Sequence, residues 1–177
     1  RDEWRKSVME TKARRRLFLG TKMSLVFENR ITVLNQIQEM CRAERIVHPD
    51  RVKEEVEVYN DLLPGDGEVA ATLFIEIQKE PEIQPELDRL IGLASGKCLW
   101  LDIDGRRAYA TFDGGQHRDD RISAVQYLVF PVAKTDAERA SFESAQSVKL
   151  VVEHPAYRAE VELSRDTREE LLRDLRA

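Results

Sequence analysis

The chain has 177 residues, 42% of them hydrophobic and 34% charged, with a formal net charge of -5. That length and balance suit one folded domain over positions 1–177 and exclude a disordered chain. The acidic balance argues against a general nucleic-acid binder, and no apolar run approaches the roughly 20 residues of a membrane-spanning helix.

The chain begins at Arg1 rather than Met, so a short preceding piece is expected. Positions 3–16 pattern as a polar surface helix anchored by Trp4, Val8 and Met9. Charge is uneven here, with net +4 over positions 1–16 and -9 over the remainder. The triplet Arg14-Arg15-Arg16 reads as a solvated helix end, where cations are favoured by the helix dipole. After a break at Gly20, Met23, Leu25 and Phe27 alternate with Ser24, Val26 and Glu28, the period of a strand.

Two amphipathic helices follow. Asn29 is placed to cap the first, whose apolar positions are Val33, Leu34, Ile37, Met40 and Cys41. Arg30 and Glu44 fall on the same stripe, one at each end and of opposite sign. Their side chains either snorkel to water or wall a polar pocket. The second helix opens at Pro49, preceded by His48, with Asp50, Glu54 and Glu55 near its start. Its seam is Val52, Val56, Tyr59 and Leu63, and Glu55 lies on that seam one turn before Tyr59. A buried, unpaired carboxylate costs several kcal/mol, so Glu55 must reach the rim or meet a cation or a phenol hydroxyl.

Beyond the Pro64-Gly65-Asp66-Gly67 break, positions 69–77 form a core strand that ends in Glu76-Ile77. A helix is expected over 85–93, and a hairpin joins 98–102 to 107–112 through Asp104-Gly105. Positions 113–120 read as a polar loop with Gly114, Gly115 and His117, and 122–132 as a central strand. A short helix over 136–144 precedes a second hairpin, 148–153 with 158–163, turning at His154-Pro155-Ala156-Tyr157. An amphipathic helix closes the chain over 165–176. Strands joined by hairpins or single helices, without βαβ alternation, give the α+β class: an antiparallel or mixed sheet covered by helices.

No catalytic set has the required types and spacing. Cys41 and Cys98 are too few for a disulfide framework or a CxxC metal knuckle, so a reducing, cytoplasmic setting is expected. Cys41 reads as packing, and there is neither a nucleophile elbow nor a phosphate-binding glycine motif. His48, His117 and His154 are far apart, each in a turn or polar loop, and read as exposed. An oxygen-ligand site drawn from Glu28, Glu39, Glu44, Glu55 and Glu76 would suit hard or iron-type ions. The Glu-x-x-His helical pairs of a di-iron bundle are missing, however, so no metal and no cofactor are expected. The polar residues placed awkwardly for plain exposure are Glu28, Arg30, Glu44, Glu55, Tyr59, Glu76 and His154. Ion pairing of Glu28 or Glu76 with Arg30 is the structural expectation. A small-molecule or metal pocket, with or without enzymatic activity, is the functional one.

The stretches FENRITVLNQIQEMCRAERI, EVYNDLLPGDGEVAATLFIEI, DRISAVQYLVFPV and HPAYRAEVEL together resemble an uncharacterised bacterial family, a domain of unknown function. The resemblance runs from about Arg14 onward. It implies a context, since such proteins are often encoded beside a rubrerythrin-like protein and an iron-sulfur oxidoreductase resembling heterodisulfide reductase subunits. The corresponding expectation is an accessory or interaction protein of that redox module, without a catalytic centre of its own. It leaves a homodimer open and transfers no catalytic residue.

Overall fold

The computed structural model describes residues 2–95, 97–114 and 120–177, together with the backbone of 117–118. Helix α1 (Asp2–Arg15) leads into a hairpin of β1 (Arg16–Leu19) and β2 (Met23–Glu28). Helices α2 (Arg30–Ala43) and α3 (Pro49–Asn60) follow, then β3 (Glu68–Ile75). Next come α4 (Ile83–Arg89), β4 (Leu99–Ile103), β5 (Arg106–Tyr109) and β6 (Thr111–Phe112). Two short strands, β7 (His117–Arg118) and β8 (Arg121–Ile122), precede β9 (Val125–Pro131). The chain ends with α5 (Asp136–Ser144), β10 (Val148–His154), β11 (Tyr157–Glu162) and α6 (Arg165–Arg176).

The α+β class is as expected, but the strands form two antiparallel sheets rather than one, ordered β1-β2-β3-β9-β6 and β11-β10-β4-β5, with β7-β8 as a small ribbon. Leu25, Phe27, Leu73 and Phe130 of the first sheet share one apolar core with Leu101, Ile103, Val148 and Leu150 of the second. The expected 107–112 strand is split between the sheets. After Tyr109, Ala110 still donates its N–H to Leu99, and Asp113 already donates to Tyr127 across the other sheet. Local alternation is unchanged by such a crossing, which is why the sequence pattern does not reveal it.

The sheets are also joined by Tyr157, whose hydroxyl donates to Leu19 O at 2.6 Å and accepts from Lys22 N at 3.1 Å. Gly20 lets the β1–β2 turn approach this closely: its φ is +71°, and a Cβ there would lie 2.3 Å from the Tyr157 hydroxyl.

Several boundaries differ from the expected ones. The helix expected over 85–93 begins earlier, as a 3₁₀ turn (Glu80–Glu82) running into α4, because Pro81 and Pro85 are both tolerated in first turns. The 122–132 strand breaks at Ser123-Ala124, where the Ser123 hydroxyl accepts from Val125 N and Ala124 O accepts from Ile75 N. In the expected loop at 113–120, the backbone of 117–118 pairs with β8, and Gly115 lies outside the described residues. In α1 only Val8 of the three named anchors is buried; Trp4 and Met9 are exposed. None of the described helices is long and apolar enough to cross a membrane.

Arg15 is a larger correction. It is 0% exposed, with Nη1 and Nη2 at 2.8 and 2.6 Å from the two Asp174 carboxylate oxygens. Its Nε lies 3.3 Å from Glu170 Oε2. The triplet is therefore not a solvated helix end, because its middle residue ties α1 to α6 through partners that only the tertiary fold brings near.

Candidate functional site

Helices α2 and α3 cover the outer face of the five-stranded sheet. α2 starts directly after β2 because Asn29 caps it, its Oδ1 accepting from Ile31 N and Thr32 N while Thr32 Oγ1 accepts from Asn29 N. This fixes Glu28, the last residue of β2, under the start of α2.

Glu28 is 6% exposed. Its Oε1 accepts from Gln36 Nε2 at 2.9 Å and Thr72 Oγ1 at 2.8 Å, whereas its buried Oε2 has no hydrogen-bond partner among the described residues. Strand register places Thr72 beside Tyr127, both on the same sheet face as Val26 and Glu28. A cavity of ≈ 620 Å³ opens there, lined by Glu28, Thr72 and Tyr127 from the sheet. Val33 and Gln36 of α2 and Glu55, Val58, Tyr59 and Leu62 of the α3 segment form its walls. Its mouth carries the exposed residues Val58, Asp61, Thr111 and Asp113.

The electrostatics are one-sided. Glu28, Glu55, Asp61 and Asp113 all line the cavity, and no Lys, Arg or His does so among the described residues. Burial, followed by the charges of Glu28 and Asp113, raises the Tyr127 phenol above its ordinary pKa. Burial acts most on Tyr59 too, followed by Tyr127, Glu55, Glu44 and Cys41. Both phenols therefore keep their protons at neutral pH and remain able to donate as well as accept.

Of the residues singled out from sequence, Glu28, Glu55 and Tyr59 meet in this cavity. Glu55, half-buried, takes the rim position that its place on the helical seam demanded. Glu44, the C-cap of α2, is exposed and outside the lining, though its charge acts on Tyr59. Arg30 is exposed as the first residue of α2 and forms no ion pair with Glu28 or Glu76 among the described residues. Glu28 is held by Gln36 and Thr72 instead, and exposed Glu76 accepts from Ser24 Oγ at 3.0 Å. Leu34, expected on the buried stripe, is 42% exposed because α2 presents Val33 and Ile37 inward, a turn of about 100° away.

His154 lies in the other sheet's hairpin and is buried, not exposed. Nδ1 accepts from Ala156 N at 3.0 Å, which leaves Nε2–H to donate to Ile91 O at 3.1 Å. Its role is to close the turn and tie it to the segment after α4. Among the described residues, no three His, Cys, Asp or Glu side chains are grouped to hold a metal. The sequence reading missed Gln36, Thr72, Tyr127, Asp61 and Asp113. The available signal was the polar tip on Thr72 and Tyr127 within otherwise apolar strands, but only the β3–β9 register puts the two side by side.

The family profile described as "Protein of unknown function (DUF3501)" matches residues 1–175. The chain is also similar to a solved structure titled as a novel protein of unknown function from Burkholderia pseudomallei K96243. The two are 29% identical with a TM-score of 0.87, over 98% of this chain and 90% of that one. A search of curated proteins finds no match.

Proposed function

The chain belongs to the DUF3501 family of proteins of unknown function, and from its geometry we propose that it is a small-molecule-binding protein whose ligand enters between α2–α3 and the outer face of the five-stranded sheet. The observation that carries this reading is a cavity of ≈ 620 Å³ lined in part by Glu28, a buried carboxylate with one oxygen that has no hydrogen-bond partner among the described residues. Ligand pockets of about 300–1,000 Å³ combine mostly apolar walls with a few fixed polar groups, as here. An unsatisfied buried acceptor costs about 1–3 kcal/mol, which a ligand N–H or O–H would recover.

The test is a thermal-shift screen of a charge-balanced set of small amines, alcohols, amides and carboxylates against the full chain and a Thr111→Trp variant. Thr111 is exposed at the mouth, so the indole plugs the entrance without entering the core. A true ligand at 100 times its Kd stabilises the wild type by about 2.7 kcal/mol. That protection should disappear in the plugged variant. Protection by no compound, or protection that survives the plug, counts against the reading.

A second reading, docking with a rubrerythrin-like or iron-sulfur protein, draws on the resemblance and on exposed Ile31, Leu34 and Val47 along α2 and the α2–α3 connection. Co-purification with each partner tagged in turn tests it, and absence of association at micromolar concentration in either redox state would remove it.

A further inference from the structure

We propose that the cavity takes a protonated amine with an apolar body, its ammonium group seated against Glu28; this deepens the small-molecule reading above and rests on it. Four carboxylates, those of Glu28, Glu55, Asp61 and Asp113, line the cavity, and among the described residues no cation does. An anionic ligand would have to leave water and approach all four, which is unfavourable at short range. A neutral donor could satisfy the free oxygen of Glu28 but would leave the negative charge of the site uncompensated. An ammonium group does both, and its hydrogen bond to a carboxylate is of the stronger, charge-assisted kind.

The position of that carboxylate is already set. Gln36 and Thr72 both donate to Oε1 of Glu28, so the carboxyl plane is held by two elements while the buried Oε2 has no partner among the described residues. Such pre-organisation lowers the ordering cost of binding. The phenols of Tyr59 and Tyr127 stay protonated, offering hydroxyl acceptors for further N–H groups and aromatic faces for a cation. Val33, Val58, Leu62 and Val129 supply the apolar surface on which the remainder of the molecule would lie. The acidic mouth residues Asp61 and Asp113 would also raise the local concentration of a cation, with a rate that falls as salt is added.

The experiment is an NMR titration of the isotopically labelled full chain with n-hexylamine and 2-phenylethylamine, with the shape-matched 1-hexanol and 2-phenylethanol, and with hexanoate and 3-phenylpropionate. The amines should bind at least ~10-fold more tightly than their alcohols, and the acids more weakly still. Glu28→Gln should lose ~10-fold or more in amine affinity while melting no lower than wild type, because it removes a buried charge and keeps an oxygen for Gln36 and Thr72. Alcohols or acids binding as well as amines, and blocked by Thr111→Trp, would overturn this inference and leave the small-molecule reading intact. Amine affinity unchanged in a folded Glu28→Gln variant would likewise overturn it. Binding by none of these compounds would remove both. The wild-type comparison of matched amines and alcohols decides the matter even if Glu28→Gln does not fold.

Discussion

Arg15 and Glu28 are both buried charges, 0% and 6% exposed, and the fold treats them in opposite ways. Arg15 donates to both Asp174 oxygens and lies in ion-pair range of Glu170, whereas among the described residues Glu28 has no cation beside it and keeps one oxygen without a donor. The first arrangement holds the molecule together, and the second leaves a buried acceptor beside the cavity that a ligand donor would complete. Arg15→Met should therefore cost about 3 kcal/mol in denaturant unfolding, because the largely buried Asp174 carboxylate loses the cation on both its oxygens, while Glu170 keeps Arg14 and Arg173. Arg30→Ala, at an exposed helix start, should stay within about 0.5 kcal/mol of wild type in the same assay. Sequence pattern located Glu28, Glu55 and Tyr59 but not the role of Arg15, since its partners lie 159 and 155 positions away and a run of three arginines looks solvated from its neighbours alone.

At the scale of elements, the β4–β5 hairpin shows both what local sequence reveals and where it stops. Asp104-Gly105 announces the turn, and both residues adopt positive φ, +48° and +91°. What the dipeptide does not reveal is that the Asp104 carboxylate reaches out of its own hairpin to accept from Gln146 N and Ser147 N, both at 2.9 Å, fixing the start of β10. Those two N–H groups hold the Asp104 carboxyl below its ordinary pKa. A depressed folded-state pKa means stability that is present above the unfolded value, near pH 4, and lost as pH falls through the folded one. Asp104→Asn should thus be less stable than wild type at pH 7, with the gap closing below about pH 4 in melts recorded across that range. A gap independent of pH would show that the carboxylate charge is irrelevant to the turn.

For the whole molecule, the α+β class was legible because hairpin signals and helical periods are local. The division into two sheets was not, because it depends on which strand the chain pairs with after Ala110 and on the contact of Tyr157 with the β1–β2 turn. Tyr157→Phe keeps the ring and removes both hydroxyl bonds between the sheets, so unfolding free energy should fall by roughly 1–3 kcal/mol. The same packing of sheet against helices leaves the cavity between α2–α3 and the sheet, where Thr72 and Tyr127 arrive by register rather than by sequence proximity. A crystal structure of the protein with 2-phenylethylamine tests the central claim most directly. The account predicts the amine nitrogen within about 3.2 Å of Glu28 Oε2 with the ring against α3; an amine bound elsewhere, or a cavity that stays empty at saturating amine, would contradict it.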